Sequence, residues 1–128
     1  MSNFIRNRKI AWVLVTVIAL HVTPARGQEL IMFETRGCIY CKKWHDDIGP
    51  AYSKSKEGKI APQRRVEMIE NFQYQFKLNA PITISPTFVL VSKRREVGRI
   101  IGYTGDEFFW FLLSELLANH RSSNFGSK

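Results

Sequence analysis

The sequence has few of the residues that build metal and cofactor sites. Cysteine occurs twice and histidine three times. A structural zinc site usually needs four protein ligands, and the sequence offers no second pair of ligands to match the two cysteines. The second cysteine, Cys41, is followed by Lys42 and not by histidine, which excludes covalent haem attachment. We see no internal repeat and no second domain in a chain of 128 residues, which is about the length of one domain.

The sequence also lacks an apolar run of the length that a permanent membrane span needs, roughly 20 residues. The apolar stretch at residues 10–20 stops short of that length. Basic residues precede it and the small residues Ala25 and Gly27 follow it, which is the three-part pattern of a secretory signal peptide. We therefore predict that residues 1–27 are removed after export, with cleavage after Ala25 or Gly27. Residues 28–128 would form the mature domain, with no stable membrane insertion after processing.

Much of the positive charge lies in this leader. The formal net charge is +8, and four of the basic residues but no acidic residue lie within residues 1–27. The other basic residues are dispersed over several segments, which does not support a nucleic-acid interface. Export also implies an oxidising compartment, in which two neighbouring cysteines take part in thiol-disulfide chemistry.

The two cysteines, Cys38 and Cys41, lie where a strand is predicted to pass into a helix. An uninterrupted apolar run predicts a central strand at residues 29–35, covered on both faces. Gly37 allows the chain to turn, and a helix is predicted from Ile39. The first turn of a helix offers unpaired N–H groups and the positive end of the helix dipole, so it favours a thiolate at Cys38. Cys41, one turn further in, is expected to be the more buried cysteine.

The remaining pattern predicts an alternation of helices and strands. The first helix should be interrupted at Gly49-Pro50, resume over residues 51–56 and end at Gly58. A crossover then leads to a strand parallel to the first, and an S/T-x-x-E capping box that begins at Thr104 precedes an apolar helical stripe. The predicted elements are a parallel strand at residues 65–70, a loop with helix at 71–80, hairpin strands at 87–92 and 97–101 around a turn at 93–95, a last helix at about 105–119, and a disordered tail from about residue 122.

Two separated motifs resemble those of the thioredoxin superfamily. The Cys-x-x-Cys pair follows the first strand, and residues 81–91 place Pro86 directly before a strand-turn-strand hairpin. The resemblance covers about residues 29–118. It implies an α/β protein with a thioredoxin-like fold, in which a central mixed sheet of about four strands is flanked by helices. It also implies a cis peptide bond before Pro86, in a loop that faces the cysteines.

Within this superfamily, residues 41–50 and 102–110 are most similar to small exported thioredoxins associated with bacterial sulfur oxidation. This resemblance implies a periplasmic thiol-disulfide oxidoreductase that works without a cofactor. Its implied partners are protein substrates with a reactive cysteine or disulfide, among them a sulfur-carrier protein, and a membrane thiol-electron carrier that acts as reductant.

Two features depart from thioredoxin itself. Ile39 and Tyr40 stand between the cysteines, where thioredoxin has Gly-Pro. Met32 stands six residues before Cys38, where thioredoxins carry a buried acid that helps to move protons at the inner cysteine. Glu34 is nearby, but no sequence pattern assigns it that role.

The predicted chemistry is reversible thiol-disulfide exchange. The Cys38 thiolate attacks a partner disulfide, a mixed disulfide forms, and Cys41 attacks it to release the product. A purely structural disulfide would stabilise the fold little, because a loop with two intervening residues constrains the unfolded chain little. Tyr40 is either a ring that faces the partner or a residue that fits an exposed turn. The resemblance implies further substrate contacts in the proline loop, at Ser85, Pro86 and Thr87.

A second function class uses the same two thiols. His45 lies four residues after Cys41, so Cys38, Cys41 and His45 can line one end of a helix as a three-ligand site for copper or zinc. The alternative hypothesis is therefore a copper-binding chaperone.

Overall fold

A four-stranded mixed sheet forms the centre of the fold. The computed structural model describes residues 27–68 and 74–126. The strands lie in the order β2-β1-β3-β4, with β2 parallel to β1 and β3 antiparallel to both β1 and β4. The predicted α/β fold, the parallel crossover and the hairpin are confirmed. The strands are β1 (Gln28–Glu34), β2 (Gln63–Glu67), β3 (Thr87–Ser92) and β4 (Arg95–Ile101).

Three helices form the crossover between β1 and β2, and a fourth follows β4. They are α1 (Ile39–Asp47), α2 (Gly49–Tyr52), α3 (Lys56–Ile60) and α4 (Asp106–Phe125). The predicted interruption at Gly49-Pro50 is confirmed, since Pro50 lies in the first turn of α2, where its missing N–H removes no helical hydrogen bond. The predicted end at Gly58 is wrong. Ser55 caps a new helix by accepting a 2.9 Å hydrogen bond from the Gly58 N–H, so Gly58 lies within α3.

The bounds of three strands also differ from the prediction, and β1 lies one residue earlier than the predicted residues 29–35. β2 begins at Gln63, two residues earlier than the predicted start, and ends at Glu67. Residues 69–70 of the predicted strand lie outside the described residues. The hairpin turn contains only Lys93 and Arg94, both with positive φ (49° and 62°), as two-residue hairpin turns of the primed type require. Arg95, predicted as part of the turn, is therefore the first residue of β4.

The segment predicted as a loop with helix falls partly outside the described residues, at positions 71–73. Residues 74–80 contain no helix. Lys77 instead forms a parallel β-bridge with Arg95, in which the Lys77 N–H donates to the Arg94 carbonyl and the Glu96 N–H donates to the Lys77 carbonyl.

Both ends of α4 differ from the prediction. Gly105 is the N-cap residue and no side chain caps the helix, so the predicted Thr104 capping box is wrong. The first-turn carboxylate of Asp106 accepts a 2.8 Å hydrogen bond from the Glu107 N–H instead. The helix then continues to Phe125, and residues 122–125 belong to it rather than to a disordered tail. No glycine or proline interrupts the sequence before Gly126, so nothing breaks the helical hydrogen bonds earlier.

The central strand β1 is buried on both faces, which explains its uninterrupted apolar run. Leu30 and Met32 pack with the helical core, whereas Ile31 and Phe33 belong to a second cluster on the other face of the sheet. Trp44 of α1 is 1% exposed. It contacts the rings of Tyr52, Phe88 and Phe109. The helix that carries both cysteines is thereby fixed to the sheet and to α4.

No helix within residues 27–68 and 74–126 combines the length and the apolar character that crossing a membrane requires.

The turn between α2 and α3 depends on a glycine at position 58. A Cβ atom at Gly58 would overlap the backbone carbonyl of Tyr52, whereas a Cβ at Gly49 meets nothing within 4 Å. We expect Gly58→Ala to lower the free energy of unfolding by about 1 to 3 kcal/mol, the usual cost of overpacking. Gly49→Ala, the matched control, should leave stability unchanged or slightly raised. Urea unfolding of both variants checks this, and equal midpoints would contradict the backbone overlap.

Candidate redox site

The two cysteines form a disulfide at the N-terminus of α1. Gly37, with a φ of 73°, turns the chain out of β1. Cys38 is the N-cap residue, and its Sγ accepts a 3.1 Å hydrogen bond from the Cys41 N–H. Cys38 is partly exposed, whereas Cys41 is 3% exposed, as predicted. A sulfur atom of another molecule therefore reaches Cys38 and not Cys41.

The loop before β3 brings a hydroxyl group to the inner sulfur. The Ser85-Pro86 peptide bond is cis, as the resemblance implied. The Ser85 Oγ accepts a 3.0 Å hydrogen bond from the Thr35 N–H and lies 3.1 Å from the Cys41 Sγ. Since a disulfide sulfur carries no hydrogen, the Ser85 hydroxyl is the donor to Cys41 in this state. The proline loop and the cysteine pair thus meet although 44 residues separate Cys41 from Ser85.

The two residues after Ser85 are buried, Pro86 at the end of the loop and Thr87 at the start of β3. Pro86 is fully buried and its carbonyl accepts a 2.8 Å hydrogen bond from the Gly102 N–H. Thr87 is 1% exposed and its hydroxyl donates to the Ile84 carbonyl at 2.7 Å. Its polar atom is thus occupied within the loop, and of the two hydroxyls predicted near the sulfurs, the structure brings that of Ser85 to Cys41.

Exposed apolar side chains adjoin the disulfide in sequence. Tyr40 is 61% exposed, as expected for either interpretation of this residue. Ile39, beside it, is 79% exposed, and Ile84, which precedes Ser85, is 51% exposed. Neither isoleucine was predicted as a site residue, although the positions next to Cys38 and Ser85 indicate such a role. Because Ser85 contacts Cys41, the three side chains together expose apolar area near the disulfide.

The loop that carries Ser85 is supported by a buried ion pair. The Glu96 side chain is 2% exposed and pairs with the Arg99 guanidinium at 2.6 Å. Glu96 also accepts a hydrogen bond from the Asn79 N–H, and Arg99 donates to the carbonyls of Ala80 and Pro81. Burial alone would raise the pKa of Glu96, but the hydrogen bonds from Arg99 and Asn79 outweigh it and lower the pKa. The stability that this carboxylate contributes is therefore present at neutral pH and lost as the pH falls through its lowered pKa.

A second polar contact fixes α1 to the end of the sheet. The Tyr103 hydroxyl donates to Asp47 at 2.8 Å, and Lys43 pairs with the same carboxylate at 2.7 Å. The hydrogen bond from Lys43, followed by that from Tyr103, lowers the pKa of Asp47. Burial, followed by the hydrogen bond to Asp47, raises the pKa of Tyr103. This contact joins the last turn of α1 to the segment between β4 and α4.

A groove of about 620 Å³ opens beside the disulfide. Its charged side chains come from the end of β1, from α1 and from β2. Arg36 pairs with Glu67 at 3.0 Å, and Arg65 pairs with Glu34. The residues from β2 were missed by the sequence analysis, because their place in the groove depends on the register that sets Glu34 opposite Glu67. The groove is lined by Glu34, Thr35, Arg36, Gly37, Cys38, Ile39, Cys41, Lys42, His45, Arg65 and Glu67.

His45 faces this groove but does not join the cysteines. Its Nε2 atom lies 2.8 Å from the Glu34 carboxylate. Across residues 27–68 and 74–126, no group of three or more His, Cys, Asp or Glu side chains is arranged to hold a metal ion. In the disulfide state described here, the geometry gives no support to the three-ligand site of the copper-chaperone hypothesis.

The position six residues before Cys38, where thioredoxins carry an acid, is occupied by a buried apolar side chain. Met32 is fully buried and belongs to the same core cluster as Cys41. The Glu34 carboxylate is held by Arg65 and His45. The part of the chain that the structure describes shows no carboxylate hydrogen-bonded to either sulfur.

The arrangement of sheet, helices, disulfide and proline loop defines the thioredoxin fold of the thiol-disulfide oxidoreductases. No protein-family model and no curated protein matches the chain. Among solved structures, the chain is 41% identical to the periplasmic thioredoxin SoxS from Paracoccus pantotrophus, crystallised in its reduced form, with a TM-score of 0.68 over 71% of this chain and 96% of that one. A thioredoxin from Malassezia sympodialis is 18% identical, with a TM-score of 0.49 over 71% of this chain and 76% of its own.

The identity and coverage of the first match show the family: the chain belongs to the thioredoxin superfamily and is similar to SoxS. It is a thiol-disulfide oxidoreductase, and thioredoxin-like proteins of this kind act on the cysteines of other proteins.

Proposed function

We propose that this protein is a periplasmic thiol-disulfide oxidoreductase that reduces or reactivates protein cysteines, with Cys38 and Cys41 as its catalytic pair. The observation that carries the proposal is the asymmetry of the disulfide. Cys38 is partly exposed and caps α1, while Cys41 is 3% exposed beneath it. The N-cap position and the Cys41 N–H stabilise negative charge on the Cys38 sulfur, which is the atom that must act as thiolate.

In the proposed reaction, the reduced protein attacks a partner disulfide with the Cys38 thiolate. A Cys38-partner disulfide forms, and the other partner sulfur leaves as a thiol after taking up a proton. Cys41 then attacks the Cys38 sulfur, so the bond to the partner breaks and its electron pair leaves with the partner sulfur. The products are a reduced partner and the Cys38–Cys41 disulfide described here.

The proposed docking surface for the partner segment surrounds Cys38. Tyr40, Ile39 and Ile84 offer exposed apolar area, and the segment of Ser85 and Pro86 lies outside the sheet next to the sulfurs. An extended peptide that reacts with Cys38 can add its backbone to this segment as a short strand. Tyr40 and Ser85 provide the side-chain contacts in this proposal. The fully buried Pro86 sets the course of the backbone that the peptide joins, and Thr87 shapes the loop through its bond to Ile84.

The periplasmic location is supported by the sequence pattern of the leader and by the similarity to a periplasmic thioredoxin. Residues 1–26 lie outside the described residues. β1 begins at Gln28, so cleavage after Ala25 or Gly27 leaves every strand of the sheet intact. The mature domain is residues 28–128 in this proposal.

The similarity to SoxS also supports a finer proposal about partners. The substrate is a disulfide formed by the reactive cysteine of a sulfur-carrier protein in the sulfur-oxidation pathway, and its reduction returns that cysteine to the thiol. The electrons come from a membrane thiol-electron carrier that keeps the Cys38–Cys41 pair reduced.

The redox state of the pair inside cells tests location and electron source together. The full chain is produced in a Gram-negative host, and the periplasmic fraction is quenched with acid and treated with a thiol-alkylating reagent. We expect a protein that starts after Ala25 or Gly27 and has two alkylated cysteines, and an oxidised pair in a strain without the membrane thiol carrier. An unprocessed chain in the cytoplasm, or a pair that is oxidised in both strains, would contradict the proposal.

A further inference from the structure

The groove beside the disulfide contains a polar pair that the exchange steps leave unused. The His45 Nε2 and Glu34 Oε2 atoms lie 2.8 Å apart, with side chains 28% and 15% exposed. A carboxylate only accepts hydrogen bonds, so Nε2 is the donor and the neutral ring presents its lone pair at Nδ1. Among the described residues, Nδ1 has no hydrogen-bond partner. His45 therefore has a free site that can accept a proton.

His45 also lies close to the inner cysteine. The two residues are four positions apart on α1, which places them on one face of the helix about 6 Å apart along its axis. Side chains on a helix lean towards its N-terminus, and the His45 ring is held at Glu34, the last residue of β1. Both residues line the same groove. Water in this groove can therefore contact both side chains.

The resolving step needs such a group. Cys41 is 3% exposed and packs in a cluster with Met32 and Trp44, and burial among apolar side chains disfavours a thiolate. The Ser85 hydroxyl, 3.1 Å from the sulfur, donates a hydrogen bond but is too weak a base to take the proton. Met32 of β1 is fully buried in the same cluster and offers Cys41 no acid or base. A base on the groove side of Cys41 fills this gap.

We propose that His45, oriented by Glu34, is the general base that takes the proton of Cys41 when Cys41 attacks the mixed disulfide. This inference rests on the proposed function. The proton moves from the Cys41 sulfur through groove water to Nδ1, the Cys38–Cys41 bond forms, and the bond from Cys38 to the partner breaks. The partner sulfur leaves with the electron pair and receives the proton from His45. In the reverse direction, when a donor reduces the disulfide, His45 returns the proton to Cys41.

Each charged side chain that lines the groove near His45 has an ion-pair partner. None of them occupies the Nδ1 atom of His45. Arg65 of β2 contacts the Oε1 atom of Glu34, so Oε2 remains for His45. On the same groove, Arg36 pairs with Glu67, and Lys42 of α1 pairs with Asp46. A general base accepts a proton only in its unprotonated form. The proposal therefore predicts a pH-dependent resolving step.

Rapid mixing of the reduced mature protein with one equivalent of 5,5′-dithiobis(2-nitrobenzoate) separates the two steps. The first release of thionitrobenzoate reports attack by Cys38, and the second reports resolution by Cys41. His45→Gln keeps a donor for Glu34 but has no basic nitrogen. We expect an unchanged first phase and a second phase slowed by about tenfold to a hundredfold near neutral pH, a usual contribution of a general base. The difference should shrink at alkaline pH, where the thiol ionises without help.

Two further variants separate this role from a structural one. In His45→Ala, added imidazole buffer should restore the second phase, which a loss of packing alone would not allow. His120→Gln, on α4 and outside the groove lining, should leave both phases unchanged. A second phase in His45→Gln with the rate and pH profile of the unmodified protein would overturn the proposal, as would equal slowing at every pH without imidazole rescue. Loss of the first phase in the unmodified protein would instead overturn the proposed function.

Discussion

Replacing Cys38 by serine should reduce catalysed disulfide reduction to the rate of the chemical reductant alone. The reason is that Cys38 is partly exposed, while Cys41 is 3% exposed and belongs to the buried core cluster. A serine hydroxyl forms no mixed disulfide, so the first step of exchange is lost completely rather than slowed. The measurement is the reduction of insulin by dithiothreitol, with and without a catalytic amount of the variant.

The control for Cys38→Ser is the reduced, unmodified protein. The substitution also removes the disulfide, so thermal unfolding of the variant is compared with that of the reduced protein and not with that of the oxidised one. Similar stability together with complete loss of turnover is the expected pair of results. Turnover clearly above the uncatalysed rate would show that Cys41 or another group attacks the substrate, and it would contradict the proposed roles of the two cysteines.

Replacing Cys41 by serine should have the opposite signature, which is the accumulation of a stable adduct on Cys38. Without the inner thiol, the mixed disulfide has no intramolecular route to resolution. The small hydroxyl of the new serine fits the buried position next to Ser85. We expect about one equivalent of covalently bound partner after mixing with a disulfide substrate. Non-reducing electrophoresis and intact mass measure it, and dithiothreitol should release it.

The same variant identifies the partner. Produced with its leader in a sulfur-oxidising bacterium, Cys41→Ser should retain a protein with a reactive cysteine through a reducible bond, and the double variant Cys38→Ser/Cys41→Ser should retain none. Recovery of a sulfur-carrier protein supports the finer proposal. Recovery of unrelated secreted proteins alone would contradict it while leaving the exchange chemistry intact. Absence of any adduct, in cells and with purified substrates, would contradict the exchange mechanism itself.

The sequence predicts the cysteine pair well, because its geometry is local. An apolar strand, a glycine and an amphipathic helix that starts directly after Cys38 suffice to place one sulfur at a helix N-terminus and the other one turn inside. The proline loop could not be placed in the same way. Ser85 lies 44 residues from Cys41, and its approach to the sulfur was expected only through the resemblance to thioredoxins.

The groove could not be predicted, because it depends on the register of two strands. Arg65 reaches Glu34 only because β2 pairs in parallel with β1 and sets Glu34 opposite Glu67. His45 was predicted as a possible metal ligand, because the helical spacing gives its distance from Cys41. The spacing does not show that the His45 ring contacts Glu34 of β1. Only the folded sheet places the Glu34 carboxylate next to the His45 ring.

The errors at helix ends have a related origin. Thr104 and Glu107 match a capping box, but the chain turns at Gly105, with a φ of 133°, and the helix starts one residue later. Small polar residues after Arg121 favoured a disordered tail by composition, yet α4 continues to Phe125. Composition reports only the average tendency of a segment to be ordered. A helix that is already formed gains one hydrogen bond for each residue added, so it extends at little cost until a residue interrupts it.

The reduction potential of the mature Cys38–Cys41 pair tests the proposed direction of electron flow most directly. The protein is equilibrated with defined dithiol buffers, and the free thiols are trapped and counted. A reductase fed from the membrane requires a potential near that of thioredoxin, about −270 mV, and this is the value we predict. A potential near about −120 mV, typical of the strong oxidants of this superfamily, would mean that the pair withdraws electrons from secreted thiols, and it would contradict a reducing or reactivating role.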